Sequence, residues 1–436
     1  MRKHNLGWLA FLLPAGYMSA GAQALTRDEA VRIALKNNLG IELARNNVAI
    51  AGIYNSYGIA GGLPLVTGSA AFQEQSTSLK QEYANPANNK SSNNAFSNNL
   101  SGSLNGYMLL YNGERVVTAK KRLGAIEGQT KQLLSSRALV LVNNVLMKYY
   151  DIVRQQSYAR TLRASIDVYR QQLSIVQARQ SVGLANNADL FQSQVDLNTQ
   201  LQNLTAQQLV IDQGKTDLLT LLTLNPDSAV QVEDTILVDR NIRLPDVLTA
   251  VQSANPDIIA ANEQITINQY IEKETGALRY PTLGVNGGYN YSRTKNSVGF
   301  SLLNLNYGPY AAVTLSVPIF NGNIYRKQQQ VAGVNIKNAQ LVRDTLLLNY
   351  TANAVKSYQA YTNNLQQVET AKANYDLAFK LLDLVLKRFE LRQATIVDVK
   401  NAQQSFENAG FLLVNVSFAA KAAEIALKRY ANQLVN

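Results

Sequence analysis

The sequence predicts a mostly α-helical protein with a β-barrel portion, built from two tandem repeats. Each repeat is a β-hairpin joined to long, coiled-coil-like helices. Three observations predict it. A seam of apolar residues runs for most of the stretch from Gly113 to Val182, the same stretch recurs later in the chain, and each repeat carries two segments in which apolar and polar residues alternate.

The seam comprises Leu134, Ala138, Leu141, Val145 and Ile152, then Ala159, Leu162, Ile166, Tyr169, Leu173 and Val176. Steps of four and three sustained this far are a heptad pattern. No proline falls between Pro86 and Pro226 to break it. Some seventy residues at 1.5 Å each reach about 105 Å, too far to wrap a compact core, so such a helix must pack lengthwise against others.

A shift of 209 residues places Gly113 on Gly322, Tyr149 on Tyr358, Arg179 on Arg388, Asp189 on Asp398 and Gln194 on Gln403. A second shift, of 217, places Asn38 on Asn255, Ile41 on Ile258 and Pro64 on Pro281. The chain is thus a tandem duplication. The expected boundaries are a signal segment at 1–24, a first repeat at 25–224, a linker at 225–245 and a second repeat at 246–436.

Composition narrows the function. With no cysteine there is no disulfide, thiol nucleophile or thiolate metal site, and the single histidine is His4. Arg2, Lys3 and His4, the apolar run Leu6–Leu13 and the small residues Ala22-Gln23-Ala24 are expected to form a cleaved export signal. Cleavage leaves no imidazole. Neither a catalytic cluster nor a phosphate-binding glycine loop is recognisable, so no cofactor, no metal and no enzyme activity are expected. The basic charge, +11 over 436 residues, is spread along helices and does not suggest nucleic acid.

A helix is expected from Leu25 to Ile59, with Thr26 as its N-cap. Strands are expected at about 64–77 and 96–111, around a polar loop at 78–95. The long helix then runs to a tip turn at 183–189 and returns to about Leu224, with Leu197, Leu201, Leu204, Ile211, Leu218 and Leu222 on its seam. The second copy repeats this order, with a helix to about Ala277, strands at about 281–294 and 308–320 and a tip turn at 392–395. Leu100, Leu104 and Met108, with Val313, Leu315 and Val317, form the apolar strand faces and are the expected lipid-facing residues. Four strands cannot close a barrel, which needs at least about eight. Either several chains share one barrel, or the strands form a soluble sheet over one end of a helical rod.

In the duplication, the helix entries Asn38-Leu39-Gly40-Ile41 and Asn255-Pro256-Asp257-Ile258, the junction Val317-Pro318-Ile319-Phe320-Asn321-Gly322 and the tip segments Val182-Gly183-Leu184 and Thr395-Ile396-Val397-Asp398-Val399, the chain resembles the TolC-type outer-membrane efflux channels from Leu25 to about Ala431. The resemblance implies a homotrimer whose three chains form a 12-stranded barrel in outer-membrane lipid, continued by a periplasmic α-helical tunnel. It also implies a periplasmic adaptor as partner and, through the adaptor, an inner-membrane transporter. The function so implied is a passive exit duct for drugs, toxins or proteins.

The resemblance further assigns a periplasmic gate and two adaptor-contacting tips. Asp398 matches a position where aspartates of three chains form a ring, while Thr395–Asp398 also has the spacing of a capping box. Asn401, Ala394 and Phe389 stand where a second acidic ring, a basic latch and a tyrosine latch would be. Val182, Gly183, Leu184, Leu391 and Arg392 form the tips, and Gly183 alternatively marks an ordinary helix C-terminus. Arg179 and Arg388 are candidates for pairing with adaptor carboxylates or for compensating the helix dipole. A surface coiled-coil rod, structural or adhesive and without a channel, is the alternative function.

Overall fold

The structure, a computed structural model, describes residues 24–232 and 235–434. The expected signal segment lies outside the described residues except for Ala24. The elements in order are β1 (Ala24–Leu25), α1 (Arg27–Asn37), α2 (Leu39–Tyr54), β2 (Leu65–Gln81), β3 (Lys90–Tyr111), α3 (Arg115–Ser181), α4 (Asn187–Leu221), β4 (Gln231–Val232), α5 (Leu244–Ser253), α6 (Pro256–Ala277), β5 (Thr282–Asn296), β6 (Leu303–Ser316), α7 (Ile324–Glu390) and α8 (Ile396–Tyr430). β1 pairs in parallel with β4. The remaining strands form one antiparallel sheet of order β2-β3-β5-β6.

The duplication is visible in the elements themselves. α3 and α7 are 67 residues each, and α4 and α8 are 35 each. Left-handed backbone conformations recur at equivalent positions: Gly113 and Gly322, Glu114 and Asn323, Gly183 and Arg392, Thr223 and Asn432. The bends are kept even where glycine is not.

One expected helix becomes two in each copy. The helix predicted from Leu25 to Ile59 breaks at Asn38, and its counterpart breaks at Asn255; both asparagines have extended backbones. The reason is a remote demand. Asn38 Nδ2 donates to the Leu221 carbonyl at the end of α4 (3.3 Å), and Asn255 Nδ2 donates to the Tyr430 carbonyl at the end of α8 (3.1 Å). Asn255 Oδ1 also accepts from the Asp257 N–H (3.0 Å), capping its own helix. One side chain therefore satisfies two helix ends that would otherwise carry unpaired backbone groups.

The strands also differ from their expected bounds. Most of the Asn/Ser-rich stretch at 78–95 is ladder, with Leu79 opposite Ser92 and Gln81 opposite Lys90, because backbone pairing does not depend on side-chain polarity. The end expected at 320 falls at Ser316 instead, so Val317 leaves the ladder. Pro318 has no N–H to donate and restricts the residue before it.

By packing, the chain forms two compact units that cut across the repeats expected at 25–224 and 246–436. One comprises residues up to 38, 141–242 and 357–426; the other comprises 39–140, 243–356 and 427–436. In the first, Val142, Val145, Tyr149, Ile152, Val153, Leu218 and Leu222 are buried, as are Val399, Phe406, Val416 and Ala420 of α8. α8 is apolar and long enough to cross a membrane, but these positions spend their hydropathy on the core. On the first half of α4 the expected seam is kept in part, with Leu197 and Leu204 half-buried. Leu201 is exposed, while Ser193 and Gln200 are buried, and Gln200 reaches the Tyr169 hydroxyl. The second unit holds the four-stranded sheet and the helix halves tied by Arg122 to Glu274 (2.7 Å).

The tips share one geometry. Leu184 N–H donates to the Arg179 carbonyl (2.8 Å) and Gln393 N–H to the Arg388 carbonyl (2.7 Å), the same reversed closure of a helix end. Gly183 adopts its φ of 74° freely, whereas Arg392 adopts 64° against the steric cost of its Cβ. Arg392→Gly is expected to stabilise the second tip by about 1 kcal/mol. Hydrogen exchange of the 391–394 amides should slow by about fivefold, and unchanged exchange would contradict the strain.

Candidate functional site

The candidate site has two parts, the sheet surface and the hairpin tips. Residues directly opposite one another in an antiparallel ladder share a face. Phe72 stands opposite Leu100, Gly68 opposite Leu104, Leu104 opposite Tyr289, Met108 opposite Val285, Val285 opposite Val313 and Leu283 opposite Leu315. One continuous face thus collects Val66, Phe72, Leu100, Leu104, Met108, Val285, Tyr289, Val313 and Leu315. Of the six residues expected to face lipid, five lie on it; Val317 lies just past its end.

The opposite face is polar. Ser69 and Ser103 hydroxyls lie 2.8 Å apart, and the Tyr310 hydroxyl donates to Asn105 Oδ1 (2.7 Å). Ser101, Asn286, Asn290, Asn306 and Thr314 continue this face. Short of the β2–β3 bulge at Thr77/Leu79 the ladder registers place no Asp, Glu, Lys or Arg on it; Lys90, opposite Gln81, lies beyond that bulge. β2 and β6 are the outer strands, 17 and 14 residues long, each with one unpaired edge.

At the tips, Val182, Leu184, Leu391 and Arg392 are exposed. Arg179 is not a free cation awaiting a partner. Its guanidinium lies 4.1 Å from the Phe389 ring centroid and donates to the Phe389 carbonyl, closing the C-terminus of α7. Arg388 donates to the Gln393 carbonyl (3.1 Å), so it too is used within its own turn. Both arginines serve helix ends, the second of the two roles expected of them.

Phe389 is a core residue. It packs with Val176, Leu382, Leu386, Val399 and Phe406, with Ala394 against their edge. A buried ring without a hydroxyl cannot act as a polar latch, and Ala394 adds only packing. Asn401 is exposed, and its carbonyl accepts from the Ser405 hydroxyl (2.9 Å).

Asp398 closes a capping box. Its N–H donates to Thr395 Oγ1 (3.2 Å), and its Oδ2 accepts from the Thr395 N–H and hydroxyl (both 2.8 Å). These bonds, the backbone one foremost, hold its carboxyl below the usual carboxylate range. Asp398 is therefore ionised and exposed at the start of α8, as either role requires. At the matching start of α4, Asn186 Oδ1 accepts from the Asp189 N–H (2.7 Å).

Several polar ties between the two helical hairpins had no local sequence signal. Lys400 Nζ approaches Asp196 Oδ1 (3.3 Å), Gln403 Nε2 donates to Gln172 Oε1 (2.8 Å) in a buried layer, and the Ser165 hydroxyl donates to Glu407. Each joins residues more than two hundred positions apart, so the one signal in the sequence is a polar residue standing on an apolar seam.

Burial pushes the Glu407 carboxyl above its usual value, with the Ser165 hydrogen bond opposing the shift. The folded chain therefore holds a proton that the unfolded chain releases. Stability from this group is complete below the ordinary carboxylate value and is lost as pH rises through the raised one. Glu407→Gln should raise the melting temperature at neutral pH and by less in mild acid. A gap independent of pH would contradict this.

These features coincide with a known fold. The profile of the outer membrane efflux protein family matches residues 247–433. The chain is 24% identical over 317 residues to the outer membrane protein TolC of Vibrio cholerae, and 22% identical over 304 residues to the toxin and drug export protein A of Aggregatibacter actinomycetemcomitans. These matches cover 69% and 68% of this chain, and 68% and 65% of those relatives. A Haemophilus influenzae relative is 26% identical over 254 residues, 55% of this chain and 54% of that one, so the chain spans about half to two thirds of the curated relatives it matches. The crystal structure of the outer membrane protein VceC from Vibrio cholerae superposes with a TM-score of 0.75 at 16% identity, covering 93% of this chain and 95% of that one. The chain thus matches the outer membrane efflux protein family over its second repeat and shares the fold of a solved outer membrane protein over nearly its whole length.

Proposed function

We propose that the chain is one subunit of a homotrimeric exit duct in the bacterial outer membrane, a passive conduit serving an efflux or secretion system. The observation that carries this reading is the sheet. It has one continuous apolar face, one polar face that is uncharged short of the β2–β3 bulge, and two long unpaired edges. Lipid does not tolerate open edges. Four strands are too few to close, but three copies supply twelve, within the range of membrane barrels. The polar face, lined by Ser, Thr, Asn and Gln, then surrounds water. The long duplicated helices fit the family's periplasmic tunnel, and the exposed tips at Val182–Leu184 and Leu391–Arg392 fit contact with a periplasmic adaptor that connects to an inner-membrane transporter. Drugs and toxins are the substrate classes favoured by the named relative from Aggregatibacter. A soluble adhesive rod has no use for an apolar sheet face of this extent.

The test is reconstitution. The purified protein should run as a trimer in detergent and conduct in planar bilayers; a soluble, non-conducting monomer would end the proposal. Leu104→Arg, near the middle of the apolar face, should cost about 2–4 kcal/mol and lower the yield of assembled trimer. Ser103→Arg, one residue along on the other face, should assemble normally and alter conductance. Equal tolerance of the two would overturn the barrel assignment.

The same recordings test the gate. Asp398 of three chains, gathered at a narrow mouth, would favour cations and invite block by multivalent ones. Asp398→Asn should reduce cation selectivity and weaken that block. Unchanged selectivity would leave the carboxylate its capping role alone.

A further inference from the structure

On the apolar sheet face, ionised residues stand at one end only. Arg293 lies opposite Leu100 and Leu305, and Lys295 opposite Asn98 and Leu303, both on the register that carries Leu104 and Val313. Both are exposed, and among the described residues neither forms an ion pair. The opposite end of the face, at Val66, Met108, Leu283 and Leu315, carries no charge. Ten residues separate the Leu283 and Arg293 rows. At about 3.4 Å per residue and a tilt of about 40° they span about 26 Å, close to the height of an outer-membrane apolar band. Just below the cations, Tyr291 faces Tyr307 and Tyr289 faces Pro309, an aromatic row of the kind found at a membrane interface.

We infer that Arg293 and Lys295 form a binding rim for the phosphates of phosphorylated glycolipid headgroups in the outer leaflet. The inference rests on the barrel reading, which places this face against lipid. Buried in hydrocarbon, two unpaired cations two residues apart would be costly; at the headgroup level they meet phosphate. Arg293 offers a planar fork to phosphate oxygens and Lys295 a mobile point charge, about 7 Å apart along the strand, so one headgroup can engage both. A depression of about 350 Å³ beside them is lined in part by Phe96, Asn98 and Lys295. Its one carboxylate, Glu74, accepts from Asn98 Nδ2 (3.0 Å) and lies two strands from Lys295. Lys80, nearer the loop, is already paired with Glu82 (2.8 Å). On the polar face no cation stands level with them, Lys90 lying beyond the β2–β3 bulge toward the loop, so the charge is placed for lipid and not for the lumen.

The test uses the full chain purified as its oligomer in detergent, with native mass spectrometry reading the lipid bound. Diphosphorylated lipid A should bind the parent, and the Arg293→Gln/Lys295→Gln protein should bind it at least about tenfold more weakly. Dephosphorylated lipid A should bind both proteins alike and weakly, and Lys80→Gln should behave as the parent. Equal affinity of parent and double variant for the phosphorylated lipid would overturn the rim. Equally tight binding of the dephosphorylated form would overturn it too. Displacement by inorganic phosphate at the concentration of the lipid would make this a general anion site, which also overturns it. Arg293→Lys should keep most of the binding, which separates loss of charge from loss of fold. Bilayer recordings on the same preparations keep the two readings apart. A conducting trimer with no phosphate preference counts against the rim alone, whereas failure to assemble or conduct counts against the duct.

Discussion

A β-strand edge presents a row of unpaired N–H and C=O groups, and hydrocarbon offers them no partner. The rest of the structure depends on that constraint. The sheet of four strands leaves edges at β2 and β6, and its apolar face bars it from standing in water as an ordinary sheet. In the proposed duct, association of copies edge to edge satisfies both demands together. It also fixes which face is wet: the one built from Ser103, Asn105 and Tyr310, whose side chains bond across strands.

Duplication supplies the means. Two identical lengths of long helix, two of return helix and matched left-handed turns give each chain two near-equivalent hairpins. Equivalence is preserved in backbone geometry more strictly than in residue type. Arg392 holds the turn that Gly183 holds, and Asn38 and Asn255 each cap a helix that ends far away in sequence. These positions carry the geometry that joins elements, so they tolerate chemical change only if the same hydrogen bond or φ survives.

At the tips, the charged residues mostly serve the hairpins themselves. Arg179 on Phe389, Arg388 on Gln393 and Asp398 on Thr395 close helix ends, and Lys400 with Asp196 ties one hairpin to the other. The exposed surface left for a partner is largely apolar, at Val182, Leu184 and Leu391. A tip region held by a phenylalanine core and a buried Gln172–Gln403 layer differs in kind from one held by exposed ion pairs, because its strength comes from packing and is little affected by salt.

The sequence by itself determined the duplication, the long helices, the alternating strands and the Thr26 and Thr395 caps, since each is written in local spacing or in a direct repeat of residues. It also determined the apolar strand face, because period two leaves no choice of side once a strand is accepted. Only the tertiary structure decided where the helices break at Asn38 and Asn255, because the carbonyls that hold those asparagines lie more than 170 residues away. It likewise decided that Gln200 and not Leu201 is buried on α4, that Arg179 lies on Phe389, and that Arg293 and Lys295 share a face with Leu104. Each of these depends on which strand or helix comes to lie alongside, and a linear pattern cannot encode a neighbour that the chain meets only after folding.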